Sequence, residues 1–217
     1  MKDWAADHPK AKLMARKRTA ILEAARNAFL QEGYAGASME SIASAAEVSI
    51  MTLYRHAPSK EDLFIAVISD LCDFSGEVRD AKFAETMHLP LEKVLIDAGT
   101  QFQNKLISQQ TIALMRTVIA EAAHFPVLAE TAYQSFVEQY KENLNRYLSI
   151  RPELSELRPG RRKQFSYAFI ESLVGASVLR ALLGLEDSSG KEHVNRAKIA
   201  AMKLLDEASL ELNSKRR

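Results

Sequence analysis

Apolar residues recur along this chain at three- and four-residue spacing almost from end to end, and polar residues fill the intervening faces. No β-branched alternating stretch is bounded by turn signals, so the pattern predicts an all-α protein. The first predicted helix runs from Arg16 to Glu32, with Ile21, Leu22, Ala25, Ala28 and Phe29 on one face and Gly33 as its stop. A short helix capped by Ser38 follows, carrying Ile42, Ala43 and Ala46, with Val48 filling the angle to the next element. Ser49 caps a third helix, Ile50 to His56, with Leu53 inward and Met51, Thr52, Tyr54, Arg55 and His56 outward. Pro58 ends it. Ser59 and Asp62 form a capping box that opens a long fourth helix, Lys60 to Lys82.

Five further helices are expected: one opened by Pro90, then Thr111 to Ala122, Pro126 to Ile150, Arg161 to Leu185 and Lys191 to Asn213. The stretch from Arg151 to Gly160 holds prolines and a glycine and reads as a loop, and Asp187 to Gly190 reads as a second break. The expected domains are a basic arm over 1–14, a head over 15–75 whose two short helices at 38–57 form a helix-turn-helix, and a helical body over 76–217.

Composition narrows function mainly by exclusion. The chain has 217 residues, 47% hydrophobic and 26% charged, as in ordinary globular proteins. The apolar run from Leu173 to Leu185 is interrupted by Ser177, Arg180 and Gly184, so no membrane span is expected. The N-terminus carries Lys2 and Asp3 without an apolar leader region, which points to the cytoplasm. Cys72, the single cysteine, reads as a buried small apolar residue in a reducing compartment. His8, His56, His88, His124 and His193 show no metal-ligand spacing. Neither a phosphate-cradling loop nor a nucleophile elbow is present, so no catalytic, metal or cofactor site is expected. The net charge is only +1, but Lys10, Lys12, Arg16, Lys17 and Arg18 cluster with no acidic residue between Asp7 and Glu23. Such an arm lies along phosphates or enters a minor groove, although Lys2 to Lys12 fit a solvated terminus equally well.

Two short helices joined by a tight turn form a DNA-reading device, and here the residues resemble one family closely. Ile21-Leu22-Glu23-Ala24-Ala25, Phe29, Gly33-Tyr34, Ile42-Ala43, Ala46, Val48-Ser49, Thr52-Leu53-Tyr54 and Pro58 to Leu63 resemble the DNA-binding domain of TetR-family bacterial transcriptional regulators. Further on, Arg116 to Ala129 and Arg180 to Gly184 are similar to the AcrR and AefR-like branch. The resemblance implies nine helices, three of them in the DNA domain and the rest in a ligand-binding and dimerisation body. The chain departs from the family at Glu47, where glycine is usual, at Ile50, usually basic or polar, and at Ala57, usually aromatic. Glu47 must then adopt the turn without glycine's freedom, at a cost of up to roughly 1 kcal/mol.

The expected DNA-contacting residues are Lys17, Arg18, Ser38, Ser49, Ile50, Met51, Thr52, Tyr54, Arg55, His56 and Lys60. Thr52 and Arg55 suit phosphate or base edges. The resemblance places Tyr54 and Lys60 on the DNA backbone, Tyr54 having packing inside the head as its alternative, while His56 suits a helix cap or a phosphate. A largely apolar small-molecule effector is expected in a cavity lined by Phe102, Leu106, Met115, Ile119, Phe125, Phe136, Tyr140 and Phe169, with Gln103, Arg116, Glu121, His124 and Tyr133 as polar candidates. A homodimer is expected through the eighth and ninth helices, by Phe165, Leu173, Val174, Val178, Ala201, Leu205 and Ala208, with an intrachain bundle as the alternative. The expected function is a ligand-responsive repressor that binds a palindromic operator on double-stranded DNA. Activation, or protein binding with DNA recognition lost, is the alternative.

Overall fold

The computed structural model describes residues 8–71, 81, 83–185 and 190–214. Cys72, the end of the fourth expected helix and most of the Asp187 to Gly190 break lie outside them. Among the described residues all regular structure is helical, and ten α-helices occur where nine were implied. They are α1 (Pro9–Gly36), α2 (Met39–Ala45), α3 (Ile50–His56), α4 (Lys60–Leu71), α5 (Leu91–Leu106), α6 (Gln109–Glu121), α7 (Pro126–Tyr133), α8 (Gln139–Ile150), α9 (Pro159–Leu182) and α10 (Gly190–Ser214). The extra helix arises because the expected 126–150 segment is divided by a π-helical turn at Gln134–Glu138.

The chain forms two compact units, one of Met1–Asp73 with Ala113–Ala132 and the other of Phe74–Ile112 with Tyr133–Arg217. In the first, Ile21, Leu22, Ala25 and Phe29 of α1 share a core with Ile42 of α2, Leu53 of α3 and Leu63, Phe64, Val67 and Ile68 of α4. Tyr34 sits within an aromatic cluster, its ring centroid 5.9 Å from Phe29, 5.2 Å from Phe64 and 4.8 Å from Phe125. Phe125 is thereby a packing partner of the head, which its assignment to an effector cavity did not anticipate. Ile119, also assigned to that cavity, is 57% exposed and lines no buried wall. Helix α1 begins at Pro9, seven residues before the expected Arg16, because His8 accepts from the Lys10 amide and Pro9 suits a first helical position. Much of the expected arm is therefore helix, with no buried side chain among the described residues before Ile21. Gly33 interrupts α1 with φ +73°, a conformation that favours glycine.

In the second unit α5 packs on α10 and α8 on α9. Phe165, Leu173, Ala201 and Ala208, expected at a subunit contact, are instead buried inside this unit, while Val174, Val178 and Leu205 are half-buried. Helical periodicity identifies an apolar face but does not say whether the chain itself or a partner covers it. The large apolar side chains left exposed on α9 and α10 are Leu179, Val194, Ile199, Met202 and Leu210, with Leu183 and Leu185 just beyond α9. Helix α9 breaks at Gly175 (φ +43°), where a Cβ would stand 2.7 Å from the Arg196 guanidinium; that group donates to the Ser177 hydroxyl at 2.8 Å.

By length and composition α9 is apolar enough to cross a membrane, with a mean hydropathy of 1.3 over 18 residues, contrary to expectation. Its own contacts are those of a bundle helix. Phe165, Phe169, Ile170 and Leu173 are buried, and Glu171 pairs with the buried Lys141 of α8 at 2.9 Å. Lys141 also pairs with Glu138 of the π-turn at 2.8 Å. Burial pulls the ammonium pKa down, but these two carboxylates more than offset it and the net shift is upward.

Arg151 was legible only as the start of a loop, yet it is almost fully buried and gathers several groups of this unit. Its guanidinium donates to the carbonyls of Met87 (3.1 Å) and Leu89 (3.0 Å), to the Tyr147 hydroxyl and to Glu153. These bonds satisfy backbone carbonyls that follow the helical turn at 83–86.

Candidate nucleic-acid interface

The reading helix is positioned by caps that its sequence supplies. Ser38 accepts from the Ser41 amide at 3.0 Å to start α2, and Ser49 accepts from the Thr52 amide at 3.2 Å to start α3. Between them Glu47 has φ +53°, so the turn takes a left-handed residue without glycine, as its sequence position demands. Leu53 is fully buried and turns the rest of α3 outward. After α3 the Ser59 hydroxyl accepts from the Asp62 amide at 3.0 Å and donates to the Asp62 carboxylate at 2.7 Å. The capping box thus closes on the hydroxyl rather than on the Ser59 amide.

The resulting outward face differs from the expected one in several particulars. Met51 is 69% and Tyr54 41% exposed, which rules out a Tyr54 packed wholly inside the head. Arg55 is exposed, and Ile50, Thr52 and His56 are half-buried. The Thr52 hydroxyl lies 2.8 Å from the Ser49 hydroxyl, so both are partly engaged with each other. Ser38 is occupied as a cap. The Lys60 ammonium donates to the carbonyls of Ala35 (3.2 Å) and Ala37 (3.1 Å) and lies 4.8 Å from the Tyr34 ring centre, which leaves one of its three N–H donors for phosphate.

Lys17 and Arg18 are exposed on α1 and belong electrostatically to the same face. Burial, then the charges of Arg18, Arg55 and Lys17, hold His56 below the ordinary imidazole value, so the free head keeps it neutral near pH 7. The Tyr34 phenol is pushed up by burial, then by Glu61 and Glu121. Among the described residues no group of acidic, histidine or cysteine side chains is arranged to hold a metal ion.

The expected effector-lining residues divide between the units. Met115, Ile119 and Phe125 belong to the first; Phe102, Leu106, Phe136, Tyr140 and Phe169 belong to the second. Within the second, Phe102 and Tyr140 meet at 4.7 Å, and Leu106, Phe136 and Phe169 are buried. Gln103 is also buried, donating to the His193 carbonyl at 2.9 Å. A separate groove of about 450 Å³ lies along α9 and α10, walled by Phe169, Ile199 and Leu204 and by the charged Glu192, Arg196 and Lys203.

A solvent-facing helix set by an N-cap after a tight turn, with cations alongside, defines the class: a helix-turn-helix protein. Comparison with known proteins gives the family. Residues 21–67 match the family described as bacterial regulatory proteins, tetR family, and residues 93–204 match the AefR-like transcriptional repressor, C-terminal domain. The chain belongs to the TetR family, whose members are DNA-binding transcriptional regulators rather than enzymes. It is 41% identical to the HTH-type transcriptional regulator RutR of Escherichia coli (strain K12) over 64 residues, only 30% of either chain. Among solved structures it resembles a TetR-family transcriptional regulator from Mesorhizobium loti (TM-score 0.73, 23% identity, covering 89% of this chain and 96% of that one). It also resembles the flavonoid-responsive regulator FrrA (TM-score 0.63, 28% identity, covering 89% and 97%).

Proposed function

We propose that this chain is a ligand-responsive transcriptional repressor that binds a palindromic operator as a homodimer. The observation that carries the DNA-binding part is the outward face of α3, with Met51, Tyr54 and Arg55 exposed and Lys17, Arg18 and Arg55 all acting on His56. Arg55 suits the guanine edge or phosphate, and Lys17 and Arg18 suit phosphate, where they release counterions. Two copies of α3 entering successive major grooves lie roughly 34–36 Å apart, a spacing that one three-helix head cannot fix alone.

Dimerisation is supported by the exposed apolar side chains of the α9 and α10 region, Leu183, Ile199 and Leu210 among them. The charges that flank the groove there are balanced along α10, Glu192 with Arg196 at 3.0 Å and Glu207 with Lys203 at 3.9 Å, so no net charge of one sign opposes a second copy of the same face. The described match to an AefR-like repressor domain supports negative regulation. A largely apolar, ring-bearing effector is supported by the buried aromatic side chains of the second unit and by the flavonoid-responsive description of FrrA. The setting is the cytoplasm. An effector relieves repression only by binding the two conformational states with different affinity.

Gel retardation of the DNA upstream of the protein's own coding sequence tests the reading. A discrete retarded band that resists excess random duplex supports it, and retardation abolished equally by random duplex contradicts it.

A further inference from the structure

We infer that the reading helix recognises the 5-methyl group of thymine through Met51, assisted by Ile50, so that A·T pairs lie beneath the first turn of α3 in each half-site. This rests on the DNA-binding reading above. Met51 is the most exposed large apolar side chain of the α3 face, at 69%, and half-buried Ile50 precedes it. The polar groups of that turn are engaged with each other: the Ser49 hydroxyl accepts from the Thr52 amide and lies 2.8 Å from the Thr52 hydroxyl. Those two hydroxyls share one hydrogen bond, which leaves a single O–H to donate, so the turn presents mainly a thioether chain and aliphatic carbons. The nearby charges acting on His56, from Arg18, Arg55 and Lys17, are all positive, which fits a polyanionic surface as the cover for this apolar spot.

Major-groove chemistry then selects the contact. Guanine, adenine and cytosine present donors and acceptors there, whereas thymine alone adds a methyl group. Pressing Met51 against a donor or acceptor would strip its water and return no hydrogen bond. Against a methyl, both partners lose only apolar hydration. Specificity at this position thus comes from apolar surface, with hydrogen-bonded readout left to Arg55.

The test uses the full chain and a random-sequence duplex pool. After selection, each thymine of the enriched duplex is replaced singly by deoxyuridine, which removes only the methyl. Fluorescence anisotropy is then recorded for wild type, Met51→Ala and Met51→Gln. For wild type, at least one thymine per half-site should show roughly fourfold weaker binding, equivalent to ~0.8 kcal/mol for one buried methyl. That sensitivity should vanish in both variants, whose fold is spared because the side chain is exposed. Wild type indifferent to every replacement, or variants as sensitive as wild type, would overturn the inference while the DNA-binding reading stands. A pool that yields no enriched sequence would instead sink the parent reading, and this inference with it.

Discussion

The α3 face of the first unit and the α9–α10 face of the second both leave large apolar side chains in water, yet their charged surroundings differ. Met51 and Tyr54 stand where the charges acting on His56 are all positive. Ile199 borders a groove flanked by Glu192, Glu207, Arg196 and Lys203. Exposed apolar area alone says that something covers it; the charge pattern around it says what kind of thing. Cations gathered beside α3 suit a polyanion, and a mixed border suits a second copy of the same surface.

Breaking the mixed-charge face should have the larger consequence. Ile199→Glu together with Leu210→Glu buries unpaired charge if a partner subunit covers them, at a cost of several kcal/mol by order of magnitude. Analytical ultracentrifugation should show monomers that retain native helicity by circular dichroism and bind DNA poorly. The same change at Ala201, already buried within the unit, should unfold the protein instead. A double variant that stays dimeric would move the subunit contact elsewhere.

On the α3 side, neutralising Lys17 and Arg18 together should weaken operator and random DNA alike. The slope of log affinity against log salt should become shallower by about 1 per lost phosphate contact. Weakening confined to the operator would mean that these residues read sequence.

Glu47→Gly alters the turn's backbone while α3 keeps its side chains. With φ at +53°, glycine should relieve up to roughly 1 kcal/mol of strain, partly offset by a more flexible unfolded chain. Thermal denaturation should show a rise of a few degrees at most, and a clear fall would refute the strain argument.

The smallest effect is on pH. His56 titrates below its ordinary 6.5 in the free head, so its contribution to stability is complete above 6.5 and is lost as pH falls toward the lowered value. Urea denaturation of wild type should therefore lose more stability between pH 7 and 5.5 than that of His56→Gln. Bound phosphate would reverse the sign by favouring the imidazolium, so operator affinity should rise over the same fall in pH. Equal pH dependence in both proteins would remove His56 from the account.

Local chemistry was readable from the sequence because its partners lie within three or four residues. The caps at Ser38, Ser49 and Ser59, the inward Leu53 and the strained Glu47 all follow from short-range rules. What escaped depends on long-range packing. Lys60 finds the Ala35 and Ala37 carbonyls, Phe125 finds Tyr34, and Arg151 gathers carbonyls more than sixty residues earlier in the chain. Periodicity places apolar faces on α9 and α10 but does not rank them, so Phe165, Leu173, Ala201 and Ala208 fit a subunit contact by pattern, whereas the unit itself buries them. Likewise the basic arm was visible as charge, whereas its helical continuation to Pro9 was not.

Whether α3 reads DNA is decided by fluorescence anisotropy of wild type, Tyr54→Ala and Arg55→Ala on operator and random duplexes. The account predicts that Arg55→Ala loses about 1–3 kcal/mol of discrimination at its contacted base pair, and that Tyr54→Ala loses affinity for both duplexes. Both variants should melt at the wild-type temperature, because these side chains face solvent. Wild-type affinity and specificity in both variants would contradict the assignment of α3 as the reading helix.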